Sequence, residues 1–221
     1  MKFENTEVFN IAGALRGMRN PLESWKKSDS QWVTVNGVKI YNIGDNDIDL
    51  ATRLIKAGEP HRKFMRQIFI SVDITAPIYW WKEFDTYKVG TVANSTSTMH
   101  KLASTPITKD CFEMDDFEDL DLESQDMIFP LKSTWESLIS DLEFCRQKYN
   151  ETKDKRYWKE LIRLLPESWL QKRTVTMNYE NVLNMVKYRE GHKLTEWSKS
   201  FMEWARQLPF SEVFIFQEVP K

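Results

Sequence analysis

Glycine is scarce in this chain, with seven residues among 221. No GxxxxGKS/T or GxGxxG pattern occurs, so nucleotide binding through a bare glycine-rich loop is excluded. GxSxG and HExxH are absent as well, which removes the serine-hydrolase and zincin readings. There are three histidines, His61, His100 and His192; a multi-histidine metal centre would need all of them, and no metal is expected. The two cysteines, Cys111 and Cys145, stand in no CxxC or Cys/His spacing and read as small buried or half-buried thiols, too few for a disulfide scaffold. No apolar run approaches the roughly 18 residues that span a bilayer, and the start, MKFENTEVFN, lacks the apolar stretch of a secretion signal. A cytoplasmic protein with no membrane partner is expected. Neither sign of charge dominates: 31 basic against 33 acidic side chains give a net charge of -2, with no bulk attraction toward DNA, RNA or an anionic membrane. A bound phosphate must therefore be held locally.

What is present is a core. Apolar residues are 41% of the chain and aromatics 13%, nine of them Trp, which suffices for one domain over residues 1–221. Residues 47–57 (DIDLATRLIKA) predict a short helix ended by Gly58 and Pro60, with Asp47 or Asp49 as its cap. From Gln67 the period changes to two: Ile68, Ile70, Val72 and Ile74 share one face of a half-buried strand. Pro77 fits the first turn of a helix beginning near Ala76, which carries Trp80 and Trp81, read as packing residues. QWVTVNGVKIYN, 31–42, predicts a hairpin through Asn36-Gly37. Seven of the eleven residues 113–123 are acidic and read as a solvated loop or helix edge.

In the second half Ser133 and Glu136 form a capping-box pattern before a helix to about Tyr149, and a second helix over 155–165 stops at Pro166. Residues 172–177 read as a strand, after which Asn178 is placed to cap a helix. Trp197, Phe201, Trp204 and Leu208 predict a last amphipathic helix, and 213–216 a final strand. The fold class is α+β, a mixed or antiparallel sheet flanked by helices. Either weakly patterned segments or another subunit must supply the missing strands.

His61, six residues before Gln67, then a strand, an Ala-Pro-Ile turn and an aromatic helix form an order that resembles the flavin-dependent thymidylate synthases. His61 falls on that family's flavin-contacting His, and Glu83 where its helix Gln stands. Thr86-Tyr87-Lys88 occupies the place of the Arg-His-Arg motif that opens the substrate loop, and Lys88 keeps one of its positive charges. Asn94 matches the family's Asn or its following Glu, and Thr96 or Ser97 its later Ser, with Ser95 between. The family's next Arg has no counterpart, since Thr98 or Met99 stands there. A second match lies downstream. Leu-Leu-Pro at 164–166, a Thr-rich strand, then Asn178 and, eleven residues on, Arg189 are similar to the Leu-Pro, Asn-x-Arg and Leu-Arg elements, with Glu180 in place of the Arg of Asn-x-Arg. His192 and Glu196 resemble its His-Ala-Gln-x-Glu. Together the matches span roughly 55–205.

The resemblance implies FAD as cofactor, with His61, Asn178 and His192 as cofactor contacts and Glu83, Lys88, Asn94, Ser95, Thr96, Ser97 and Arg189 as substrate contacts. It implies methylation of dUMP or a related pyrimidine nucleotide, methylenetetrahydrofolate as carbon donor, NADPH as reductant and a homotetramer. A flavin carries the hard step, so no nucleophilic Cys is required of the protein. Because lysine is a point charge and Arg a bidentate fork, Thr-Tyr-Lys must grip phosphate differently from Arg-His-Arg. A homologue repurposed to bind a nucleotide or a protein partner, without turnover, is the alternative.

Overall fold

The computed structural model describes residues 1–114 and 125–217, the side chains of 125–130 excepted. In chain order the elements are β1 (Lys2–Phe9), α1 (Ile11–Met18), β2 (Gln31–Val35), β3 (Val38–Asn42), α2 (Asp45–Lys56), β4 (Phe69–Pro77), α3 (Ile78–Phe84), β5 (Val92–Ser95), α4 (Thr98–Lys101), α5 (Gln125–Thr152), α6 (Lys155–Leu164), β6 (Leu170–Asn178), α7 (Tyr179–Arg189), a π-helical segment (Glu196–Phe201), α8 (Met202–Arg206) and α9 (Ser211–Phe214). The chain is α+β, as expected. Four strands pair in the order β1-β4-β6-β5, and β2 and β3 form a separate antiparallel hairpin in which Trp32 faces Tyr41 and Val35 faces Val38. The Asn-Gly turn works as its residues require, with Asn36 and Gly37 both at positive φ (51° and 79°).

The chain divides into two compact units. One contains residues 1–2, 74–86 and 94–173. Its core gathers Leu102, Ile107, Phe112, Leu142, Cys145 and Leu161. The Glu143 carboxylate accepts the Ile107 N–H at 2.9 Å and pairs with Arg146. On α3 Trp80, Trp81 and Phe84 are all buried, the two indoles meeting edge to face at 4.9 Å. Trp81 gives its N–H to the Gln171 carbonyl (2.9 Å), and the Arg173 guanidinium lies over its ring. Both tryptophans thus serve packing.

The other unit contains residues 3–73, 87–93 and 174–217 of the described chain. Here Ile68, Ile70 and Val72 have no exposed surface, while Phe69 is 45% exposed, which is the alternation a half-buried strand requires. On the polar side Asp73 accepts from Thr174 Oγ1 (2.6 Å) and Asn5 Nδ2 (2.9 Å). Asn178 caps α7 with a reciprocal pair: its Oδ1 accepts the Asn181 N–H at 3.0 Å, and its own N–H donates to Asn181 Oδ1 at 3.1 Å.

Four expectations are corrected. Neither Asp47 nor Asp49 caps α2. The helix begins at Asp45 after Gly44, and the Asp29 carboxylate accepts the Asn46 and Asp47 N–H groups from outside the segment. Pro77 lies just outside α3, as the extended residue before it, with ψ of 155°. Ser133 and Glu136 lie inside a helix that starts at Gln125, so neither marks its first turn. Residues 213–216 form no strand: Ser211–Phe214 is a helix, and Phe214, Ile215 and Phe216 are all buried, which a one-faced alternation does not produce. Most of the acidic run at 113–123 lies outside the described residues. No helix among them is long and apolar enough to cross a membrane.

Candidate functional site

The unit containing α7 holds most of the chemistry-bearing side chains. Arg189, in the last turn of α7, donates through Nε to the Tyr87 hydroxyl at 2.9 Å and reaches within 3.1 Å of His192 Nε2. Its guanidinium carbon lies 5.4 Å from the Tyr87 ring centroid and 4.8 Å from that of Trp197. The planar cation is thereby held by two aromatic rings and cannot sweep through the rotamers open to a surface arginine. The Leu194 N–H donates to His192 Nδ1 at 3.2 Å, which fixes the imidazole ring beside Arg189. This donor-rich corner complements an oxygen acceptor.

Local sequence explains the placement. The π-helical segment opens with Glu196 and Trp197, and its widened turn buries both of these neighbouring residues. Tyr87 sits on the loop between α3 and β5, pinned to the start of α7 by a bond from Asn181 Nδ2 to the Val89 carbonyl (2.7 Å). Gly90 makes the pinning possible. Its φ is +81°, and a Cβ there would stand 2.9 Å from Asn178 Nδ2.

A second cluster surrounds Glu180, in the first turn of α7. Its carboxylate takes Arg62 Nε at 3.0 Å and Arg66 Nε, and Arg66 also bonds Glu59 at 2.9 Å. Arg62 further donates to Asn184 Oδ1 at 3.2 Å. Nearby in sequence, His61 is exposed and lines a cavity of about 480 Å³ with Lys63, Ser24 and Gln67 as its polar lining and Met18, Leu50, Leu54 and Phe64 as its apolar lining.

Of the expected contacts, the structure brings Arg189 and His192 together and sets His61 on a cavity. Asn178 is buried with its carbonyl oxygen engaged in capping, and Lys88 is exposed on the Tyr87 loop. The other unit carries Glu83, half-buried on α3, and Asn94, Ser95 and Thr96, exposed on or beside β5. The Thr96 carbonyl accepts from Gln171, and Ser97 Oγ accepts the His100 N–H at 3.3 Å as the cap of α4. The sequence alone assigns no site role to Tyr87, Trp197, Arg62 or Arg66. Tyr87 is the middle residue of the triplet that replaces Arg-His-Arg, the one signal that pointed to it. No group of three or more His, Cys, Asp or Glu side chains among the described residues is placed to hold a metal ion.

No protein-family model matches the sequence, and no curated protein matches it. Solved structures do match. Flavin-dependent thymidylate synthase ThyX from Helicobacter pylori complexed with FAD and dUMP superposes with a TM-score of 0.69 over 100% of both chains, at 15% identity. A second structure of Thymidylate Synthase X (ThyX) from Helicobacter pylori with FAD and dUMP gives 0.66, covering 96% of this chain and 95% of that one, also at 15% identity. The chain thus has the fold of the flavin-dependent thymidylate synthases.

Proposed function

We propose that this chain is a flavoprotein that methylates dUMP or a related pyrimidine nucleotide, taking carbon from methylenetetrahydrofolate with NADPH as reductant, and that it acts as a homotetramer. The observation that carries this reading is the end-to-end correspondence with two structures that contain FAD and dUMP. The residues fit the cofactor. A cavity of about 480 Å³ falls within the range of about 300–1,000 Å³ usual for cofactor sites. Its apolar side chains suit a flat heterocycle, and His61 and Lys63 suit its anionic part. FAD, when bound, supplies the hydride chemistry. Lys88 and Arg189 supply positive charge for a nucleotide phosphate, with Arg189 oriented in advance by Tyr87 and His192. Asn94, Ser95, Thr96 and Ser97 contribute neutral donors, which bind an anion less strongly than charged ones. Glu83 takes the place of the family's Gln as a substrate contact, and Asn178 keeps its Nδ2 for a cofactor contact after capping α7. We further read residues 1–221 as one folding domain, which predicts a single unfolding transition.

The repurposed-homologue reading has its own observation: Glu180, where the family pattern has Arg, pairs with both Arg62 and Arg66 within the fold. The experiment is the visible spectrum of the purified protein before and after FAD is added and the excess removed. Protein-held oxidised flavin absorbs at about 450 nm. Retained flavin, followed by release of the C5 hydrogen of dUMP when methylenetetrahydrofolate and NADPH are supplied, establishes the enzyme. Failure to hold FAD under any condition overturns it; flavin or nucleotide binding without turnover selects the repurposed homologue. Light scattering reads the oligomeric state in the same preparation.

A further inference from the structure

A second cavity, of about 340 Å³, lies in the unit that contains α1 and the hairpin, lined by Ala12, Arg16, Arg19, Trp25, Trp32 and Tyr41, with Ser28. From this cavity we propose a binding site for a planar aromatic anion of mononucleotide size, its ring against the tryptophans and its anionic group at Arg16.

Three aromatic side chains line one small cavity, and two of them are held open to solvent: Trp25 is 48% and Trp32 55% exposed. Exposed indoles forgo the stabilisation that burial gives, and a flat ligand restores it without any change in the protein. Both rings are fixed in advance. Trp25 gives its N–H to Asn20 Oδ1 at 2.9 Å, so its contribution to the cavity is ring surface. Trp32 faces Tyr41 across the hairpin, 5.1 Å between centroids.

Charge decides the ligand's sign. Arg19 is spent: buried, it donates to Asp47 at 2.5 Å and to the Asn46 carbonyl at 3.2 Å. Asp47 in turn is neutralised by Arg19 and accepts hydrogen bonds from the Ser28 and Ser30 hydroxyls. Arg16 is exposed and forms no ion pair among the described residues, and Lys39 stands 5.5 Å from the centre of the Trp32 ring. A cationic guest of the kind aromatic cages hold is repelled here, whereas a phosphate or carboxylate attached to an aromatic ring meets both features at once. Stacking on indole faces is tolerant of base identity, so the site selects a class of ligand.

The test is nuclear magnetic resonance of the indole N–H groups, assigned through single Trp→Phe variants, in the full-length protein titrated separately with AMP, GMP, UMP, adenosine and inorganic phosphate. Expected are saturable shifts of the Trp25 and Trp32 signals with a nucleotide, weaker binding of adenosine than of AMP, and a loss of affinity of about tenfold or more in Arg16→Glu. Arg16 is an exposed helical residue, and an unchanged melting temperature shows that the variant folds. The proposal is overturned if no nucleotide moves either signal, if the shifts are indifferent to Arg16→Glu, or if both signals change with protein concentration alone, which would show that a second copy of the chain covers the cavity.

Discussion

Asp47 and Glu180 each stand in the first turn of a helix, and guanidinium groups grip both, yet the two sites are built differently. Asp47 has no exposed surface. One buried arginine and two serine hydroxyls use its oxygens, and the Arg19 that pairs with it is 4% exposed. Glu180 is held by two arginines, and one of them, Arg66, is 43% exposed and shared with Glu59. The first is a closed and balanced network. The second spreads two arginines over Glu180 and Glu59 and opens to solvent on one side. A closed network fixes a fold, in this case joining α2 to the segment after α1. An open one can exchange its carboxylate for another anion, which is why the Glu180 cluster belongs among the candidate functional groups and Asp47 does not.

The largest effect that separates them is on stability. Asp47→Ala leaves Arg19 charged, buried and unpaired, and is expected to cost about 3–5 kcal/mol in urea unfolding. A loss below about 1 kcal/mol would mean that the Arg19 head reaches water and the network is not closed. The same carboxylate sets a pH dependence. Burial alone raises its pKa, but the bonds from Ser28, Ser30 and Arg19 together outweigh burial, and the folded value lies below that of the unfolded chain. The stability it contributes is therefore complete above an unfolded value of about 3.9 and is lost as pH falls through the lower folded value. Glu143, held down to about 2 chiefly by its hydrogen bond from Arg146, adds an acid-side loss of the same sign. Below pH 4 wild-type stability should fall steeply, and less steeply in Asp47→Ala.

Glu180→Gln sharpens the contrast. Removing the charge weakens bonds to two guanidinium groups and should cost about 2 kcal/mol. It also leaves Arg62 and Arg66 as an open anion site, so millimolar phosphate should recover part of the lost melting temperature by binding the folded state. The same phosphate should recover less for Asp47→Ala, where Arg19 is 4% exposed and keeps its bonds to the Ser24 and Asn46 carbonyls. Equal recovery in both variants would erase the distinction between an open and a closed site.

Legibility in the sequence followed the range of the interaction. Strand β4 is readable because every second residue is apolar, the hairpin because Asn-Gly tolerates positive φ, and the start of α7 because Asn178 is a capping residue placed between a strand and a helical pattern. Strands β1 and β5 are not. Residues 2–9 are mostly exposed and all four residues of β5 are, so neither carries a buried alternation, and only their partners define them. Arg189 and His192, three residues apart, stood in a spacing that could be compared. Tyr87, 102 residues from the Arg189 it bonds, could not be placed without the fold, and neither could Arg62, 118 residues from Glu180. The π-helical segment read as an ordinary amphipathic helix, because its apolar spacing leaves the local period ambiguous.

Asn178 tests whether a residue can serve both as cap and as cofactor contact. Asn178→Ala should cost about 1 kcal/mol through the lost cap alone. Asn178→Asp restores an acceptor for the Asn181 N–H, and with it most of the stability, but removes the Nδ2 that stands beside Gly90. If flavin retention returns with the cap, the residue acts only through the position of α7; if stability returns and flavin retention does not, Nδ2 touches the cofactor.

The smallest expected effect falls on Ser97, which caps the four-residue helix α4 through a bond of 3.3 Å. Ser97→Ala should cost only about 0.5 kcal/mol, at the low end for caps, because so short a helix has few free N–H groups to lose. Its value lies in the pairing with Ser97→Asp, which caps as well as serine but carries a negative charge. A hydroxyl that serves only the helix makes the aspartate variant as stable as wild type and leaves nucleotide affinity unchanged in calorimetric titration. A hydroxyl that also meets a nucleotide makes Ser97→Ala modestly weaker and Ser97→Asp far weaker, because a like charge is then brought against a phosphate. Ser97→Asp leaves both stability and affinity intact in the first case and loses affinity alone in the second, so one pair of variants decides whether the run from Asn94 to Ser97 faces a ligand.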